Sequence, residues 1–217
     1  MKKSNEEKTK RVFNLIIVDE SGSMSIIHRQ AFSGMNETLQ TIRMMQEKYP
    51  DQEQRVTLVT FDTGHTKWHF NNTLASNTKD LAWKDYNPSG GTPLYDAIGN
   101  AVSKTNAHVS EDDNVLVTII TDGEENSSRE WTLSMIRTMI EKLKKQNWTF
   151  TLIGTDNLDV ETMAHNFAID EHLSFHQDVE ETERMFAQER KSRQNYNCCL
   201  AENRPMSKGS FFKNKEE

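Results

Sequence analysis

The sequence predicts an α/β fold: a doubly wound, mostly parallel sheet with one antiparallel edge strand and helices on both faces. Three observations predict it. Short runs rich in β-branched residues, of the length and composition of buried strands, alternate with stretches of helical periodicity. Two of these runs stop abruptly in polar loops holding aspartate and glycine, the position where open α/β sheets place their ligand sites. A turn signal, Asp62-Thr63-Gly64, joins two neighbouring runs closely enough for a hairpin, which supplies the antiparallel edge.

In order, residues 1–10 are charged throughout and read as a disordered lead-in to a domain over residues 11–196. Residues 12–18 are the first strand and 25–48 the first helix. On that helix Ile26, Ile27, Phe32, Met35, Leu39, Ile42 and Met45 share one broad face, and Tyr49-Pro50-Asp51 ends it. Residues 55–61 alternate as a second strand, with 66–70 as its hairpin partner. Trp68 and His69 in that partner are expected to pack across the strands.

A polar stretch follows, with a short helix expected at 79–83. Pro93, preceded by Thr92, starts a helix over 93–106. Residues 115–121 are the clearest strand, ending at Asp122-Gly123-Glu124-Glu125-Asn126, and a helix is expected over 128–146. A buried strand at 148–154, a short helix at 162–167, a last strand at 172–176 and an amphipathic helix at 179–196 complete the domain. Residues 197–217 are expected to form a basic, flexible tail.

Charge narrows the function. The 217 residues carry a net charge of −7, yet from Arg190 onward seven Lys and Arg face three Glu. The body is therefore strongly acidic, which argues against a nucleic-acid-binding face. Cys198 and Cys199 are the only cysteines, offering neither a disulfide framework nor metal-ligand spacing, so a reducing cytoplasmic setting is expected. The first apolar run is broken by Asn14 and stopped by Asp19, too short for a signal peptide or a membrane span.

The polar loops carry the chemistry. Asp19, Ser21 and Ser23 alternate, so their oxygens can converge on one point, and Gly22 allows a tight turn. Hard oxygen ligands of this kind suit Mg²⁺, Mn²⁺ or Ca²⁺. The same residue types also suit a plain helix N-cap. The topology resolves part of this ambiguity. In a doubly wound sheet the loops holding Asp19, Gly90-Gly91-Thr92 and Asp122-Gly123 all open at one carboxyl edge and meet there. Glu20, Met24, Glu124, Glu125 and Asn126 flank these loops and are expected to be solvated. His28 is expected to be a surface or capping residue.

Asp-x-Ser-x-Ser after strand one, a threonine in a glycine loop, and an aspartate ending a later strand form an ordered set over roughly residues 11–196. In this set the chain resembles the von Willebrand factor type A (vWA) family and its metal-ion-dependent adhesion site. That resemblance implies a Rossmann-like fold and a divalent cation, Mg²⁺ foremost with Mn²⁺ or Ca²⁺ as alternatives, at Asp19, Ser21, Ser23, Thr92 and Asp122. It implies a protein partner that supplies an Asp or Glu to the metal, with no nucleic acid and no membrane involved. It further suggests an intracellular bacterial adaptor or scaffold, in a stress-response or tellurite-resistance-like system. The alternative is a metal-dependent hydrolase or phosphoryl-transfer enzyme. Against it, position 21 is serine where an aspartyl-phosphate phosphatase would carry a second acid, and neither a P-loop nor a Gly-x-Ser-x-Gly elbow occurs.

Overall fold

The computed structural model describes residues 10–206 and 208–213. Six strands form one sheet in the order β3-β2-β1-β4-β5-β6. They are β1 (Lys10–Asp19), β2 (Gln52–Phe61), β3 (Thr66–Leu74), β4 (Asn114–Thr121), β5 (Trp148–Thr155) and β6 (Glu171–Phe175). All neighbours pair in parallel except β2 and β3, which are antiparallel. The helices are α1 (His28–Lys48), α2 (Leu94–Asn106), α3 (Leu133–Leu143), α4 (Val160–Phe167) and α5 (Val179–Ala201). This is the doubly wound sheet with an antiparallel edge that the sequence predicts.

Strand β1 shows why the sheet needs helices on both faces, since nearly all of it is buried. Its Phe13, Leu15 and Ile17 join a core built with α2, α3 and α4. The alternate residues Ile16 and Val18 join a second core with α1 and α5. Two-sided burial explains a near-continuous apolar run where a half-exposed strand would alternate. On the second face α5 crosses α1 very closely: a Cβ on Gly34 would fall 2.3 Å from the Phe186 ring. In the edge hairpin Trp68 pairs with Val59, and His69 Nε2 lies 2.8 Å from Thr60 Oγ1, so both pack across the strands.

Several boundaries differ from expectation, each for a physical reason. β1 begins at Lys10, inside the expected lead-in, of which residues 1–9 lie outside the described residues. The first helix opens with a 3₁₀ segment, Gly22–Ile27, before α1 starts at His28. The short helix expected at 79–83 forms later, as a 3₁₀ turn over Trp83–Asp85; upstream of it the backbone of Leu81 bonds to the Asn36 side chain and Asp80 binds Gln40 and Arg43 of α1. Helix α3 starts at Leu133, not residue 128. Upstream, the N–H groups of Ser127 and Ser128 are taken by Glu125, and those of Arg129, Glu130 and Trp131 by Asp96. Backbone donors spent on carboxylates are not free to begin a helix, so Thr132 caps it instead.

Helix α5 continues to Ala201, five residues beyond its expected end. Part of the stretch read as a flexible tail is packed: Phe211 is buried against Tyr196 and Val12. Glu171 holds it there by accepting from the Ser210 and Phe211 N–H groups.

Candidate functional site

The parallel strands β1 and β4 end side by side, with Val18 paired to Ile120, so Asp19 and Asp122 emerge together at the carboxyl edge. The loop after Asp19 is folded by its own side chain: Asp19 Oδ1 accepts from the Ser21 N–H at 2.7 Å. Ser21 Oγ and Ser23 Oγ lie 3.2 Å apart, and Ser23 Oγ donates to Asp122 Oδ1 at 2.8 Å. Thr121, one residue before Asp122, donates to Asp19 Oδ2 at 2.6 Å and ties the two strand ends together.

The Gly90-Gly91-Thr92 loop docks onto the first. The Gly22 N–H donates to Gly90 O, and Gly90 adopts φ 67°, a conformation in which glycine carries no Cβ strain. Asn126 then fixes Thr92, accepting from its N–H at 2.9 Å while its own N–H donates to Thr92 O. Thr92 Oγ1 lies directly over Gly123: a Cβ there would be 2.9 Å away. Asp19, Ser21, Ser23 and Asp122 are thus linked by short contacts. Thr92 stands against the residue next to Asp122.

Electrostatics set this cluster apart. Asp19 is buried, and burial pushes its carboxyl up to about 6 despite the bonds from Thr121 and Ser21, with the charge of Asp122 adding to the rise. Burial also raises the Asp122 carboxyl, against the bonds from Ser23 and Gln177. No Lys, Arg or His forms an ion pair with either carboxylate among the described residues. Tyr86, with its hydroxyl held well above its ordinary value by burial and by these acids, stays a neutral donor to Asp19 O at 2.8 Å.

The donor set fits a hard divalent cation. Octahedral Mg²⁺ with oxygen ligands at about 2.1 Å has neighbouring ligands about 3 Å apart, and the Ser21–Ser23 and Ser23–Asp122 oxygen spacings of 3.2 and 2.8 Å match that edge. Among the described residues no group of three or more His, Cys, Asp or Glu is placed to hold a metal. A metal here therefore has to draw on hydroxyls, and hydroxyls are what the loops present.

Of the flanking residues, Glu124 and Asn126 are exposed as expected and others are not. Glu20 and Met24 are both buried, not solvated. Glu20 accepts from the Asn87 N–H and pairs with Lys67 of β3, so it clamps the first loop to the edge strand. Glu125 holds the start of α2 by accepting from the Tyr95 N–H. Glu124 alone of the acids here is exposed. His28 stacks on Trp83, with ring centroids 4.2 Å apart, and its Nε2 lies 2.8 Å from Tyr86 O, away from the cluster. Sequence reading missed Thr121 and Gln177. Gln177 Nε2 donates to Asp122 Oδ2 at 2.6 Å from the link between β6 and α5. Its position at the same carboxyl edge was the only available signal.

The von Willebrand factor type A domain model matches residues 15–197. No curated protein matches the chain. Solved structures share the fold at low identity. The mussel byssus proximal thread matrix protein 1 is 16% identical with a TM-score of 0.56, over 82% of this chain and 44% of that one. The vWF domain of the type V pili tip protein Mfa5 from Porphyromonas gingivalis is 11% identical with a TM-score of 0.58, over 92% and 98%. The SpRpn10 VWA domain is 14% identical with a TM-score of 0.56, over 83% and 94%. The chain thus spans under half of the byssus protein but nearly all of the two isolated domains.

Proposed function

The chain belongs to the von Willebrand factor type A domain family, generally a protein-interaction module, and on that premise we propose that it binds a partner protein through a divalent cation. Ser21, Ser23 and Thr92 hold the cation by their hydroxyls, and Asp19 and Asp122 act on it through water or a hydroxyl. The cation, Mg²⁺ foremost, supplies an electrophilic position for one carboxylate of the partner. The observation that carries this reading is the pair of buried acids without a cationic partner, set among hydroxyls at ligand spacing. A mostly neutral donor set leaves much of the metal's charge unneutralised, which favours an Asp or Glu from outside.

The serine hydroxyls bond to each other and to Asp122 and not to a histidine, which favours ligands over nucleophiles. No helix of the described residues is long and apolar enough to cross a membrane. The two neighbouring free cysteines accord with an adaptor working in a reducing cytoplasm. A bacterial stress-response role, of the tellurite-resistance type, remains the family analogy that the sequence suggests.

Calorimetric titration with Mg²⁺ and Mn²⁺ tests the site. Asp19→Ala and Thr92→Ala are each expected to weaken binding by about tenfold or more, and a pull-down of partners from wild type is expected to require Mg²⁺. Cation binding that survives both substitutions places the metal elsewhere.

A further inference from the structure

At the opposite end of the strands from Asp19 lies a cavity of about 380 Å³, framed where β4, β5 and β6 begin and where the chain returns after α5. Its walls include Lys145, Trp148, Tyr196, Arg204 and Lys208. The size suits a small molecule, and the edge is remote from the metal-site loops.

The charges around it do not cancel. Of the two carboxylates in the wall, Asp170 is taken by Lys144 at 2.6 Å, and both oxygens of Glu171 are spent on the Ser210 and Phe211 N–H groups. Arg204 is half engaged by Glu202. Lys145 and Lys208 form no ion pair among the described residues. On a chain with a net charge of −7 this is a local cationic surplus, and it sets Arg204 and Lys208, which follow α5, around the same concavity as Lys145.

We propose that this cavity binds a small phosphate-bearing anion, with Lys145, Lys208 and Arg204 holding its charge. Phosphate is favoured because several oxygens on one centre can meet a guanidinium and two ammoniums together. The site goes beyond the metal-dependent reading and stands without it.

The test is a calorimetric titration of the full chain with inorganic pyrophosphate in the presence of EDTA, so that the metal site takes no part. Binding at about 1 mM or tighter is expected, weakened about tenfold or more in the double variant Lys145→Ala/Lys208→Ala. Citrate, matched for charge, is expected to bind several-fold more weakly than pyrophosphate. Absence of pyrophosphate binding, binding unchanged in the lysine double variant, or equal binding of citrate would each overturn the proposal. The lysine variant alters exposed side chains only, so loss of binding in it reads the site and not the fold.

Discussion

Two buried polar clusters occupy this sheet, and the chain treats their charge in opposite ways. Under α5, Arg193 and Glu189 are both almost fully buried and paired within one helix. The Arg193 guanidinium also donates to Asn14 of β1 at 2.7 Å and Thr118 of β4 at 2.9 Å. Asn14 in turn donates to Gln54, which donates to Asn197, and Asn197 donates back to Arg193 O. At the carboxyl edge, by contrast, Asp19 and Asp122 are buried with N–H, hydroxyl and amide donors but no cation from the described residues. One cluster pairs its charges within itself, with only Glu189 Oε2 lacking a hydrogen bond; the other is left short of positive charge. Closure gives α5 a specified register on the sheet, whereas an uncompensated pair marks a place that a ligand completes.

The largest effect should come from opening the closed cluster. Arg193→Met leaves Glu189 buried without its cation and strips a donor from Asn14 and Thr118. A loss of about 3–5 kcal/mol in urea unfolding is expected. Arg193→Met combined with Glu189→Leu should recover most of that loss, since apolar replacement of a whole buried pair is often neutral. If the double variant is as unstable as the single one, the polar layer itself, and not the stranded charge, holds α5.

The open cluster should respond to pH and metal. The Asp19 carboxyl titrates at about 6 in the folded chain against an ordinary 3.8, so the folded state holds the proton more tightly. Its contribution to stability is fully present below 3.8 and is lost as pH rises through 6, by about 3 kcal/mol in the absence of metal. Saturating Mg²⁺ should flatten that slope, because metal binding requires the ionised form. Thermal unfolding between pH 4 and 7, with and without Mg²⁺, reads both. A slope that Mg²⁺ leaves untouched would remove Asp19 from the metal site. Asp19→Asn sharpens the same contrast: without metal at pH 7 it should gain about 1–2 kcal/mol by removing an unpaired buried charge, while Mg²⁺ binding is lost.

What could be read in the sequence follows the same division. The strands were legible because burial on both faces demands continuous β-branched runs, as in the Val115 to Ile120 stretch of β4. The meeting of the loops was legible because Asp19, Ser21, Ser23, Thr92 and Asp122 follow strands whose topology alone brings them to one edge. The closed cluster was not. Arg193 reads as one of several basic residues near the chain's end, yet it is the largest fully buried side chain. Asn14 reads as an interruption of an apolar strand, and only its partner on α5 gives it a purpose. Likewise the late start of α3 depends on Glu125 and Asp96 capturing backbone donors from outside the helix. Side chains that act across long sequence separations leave no periodic trace.

Gln177 offers the smallest and finest test, because it touches the open cluster from the link that leads into α5, the helix that carries the closed one. Its amide donates to Asp122 Oδ2 and, at 3.3 Å, to Ser23 O, just before Asp178 caps α5. A donor to a carboxylate favours the ionised form, so its contribution is present while Asp122 is charged and is lost as pH falls through that raised value. Gln177→Ala should therefore cost about 0.5–1 kcal/mol at pH 7 in urea unfolding and less than half of that at pH 4. Gln177→Glu, which sets a third acid against Asp122, should cost more than the alanine change at pH 7, and Mg²⁺ should reduce the difference. A loss equal at both pH values would instead assign the effect to the Ser23 carbonyl, leaving Asp122 and α5 energetically separate.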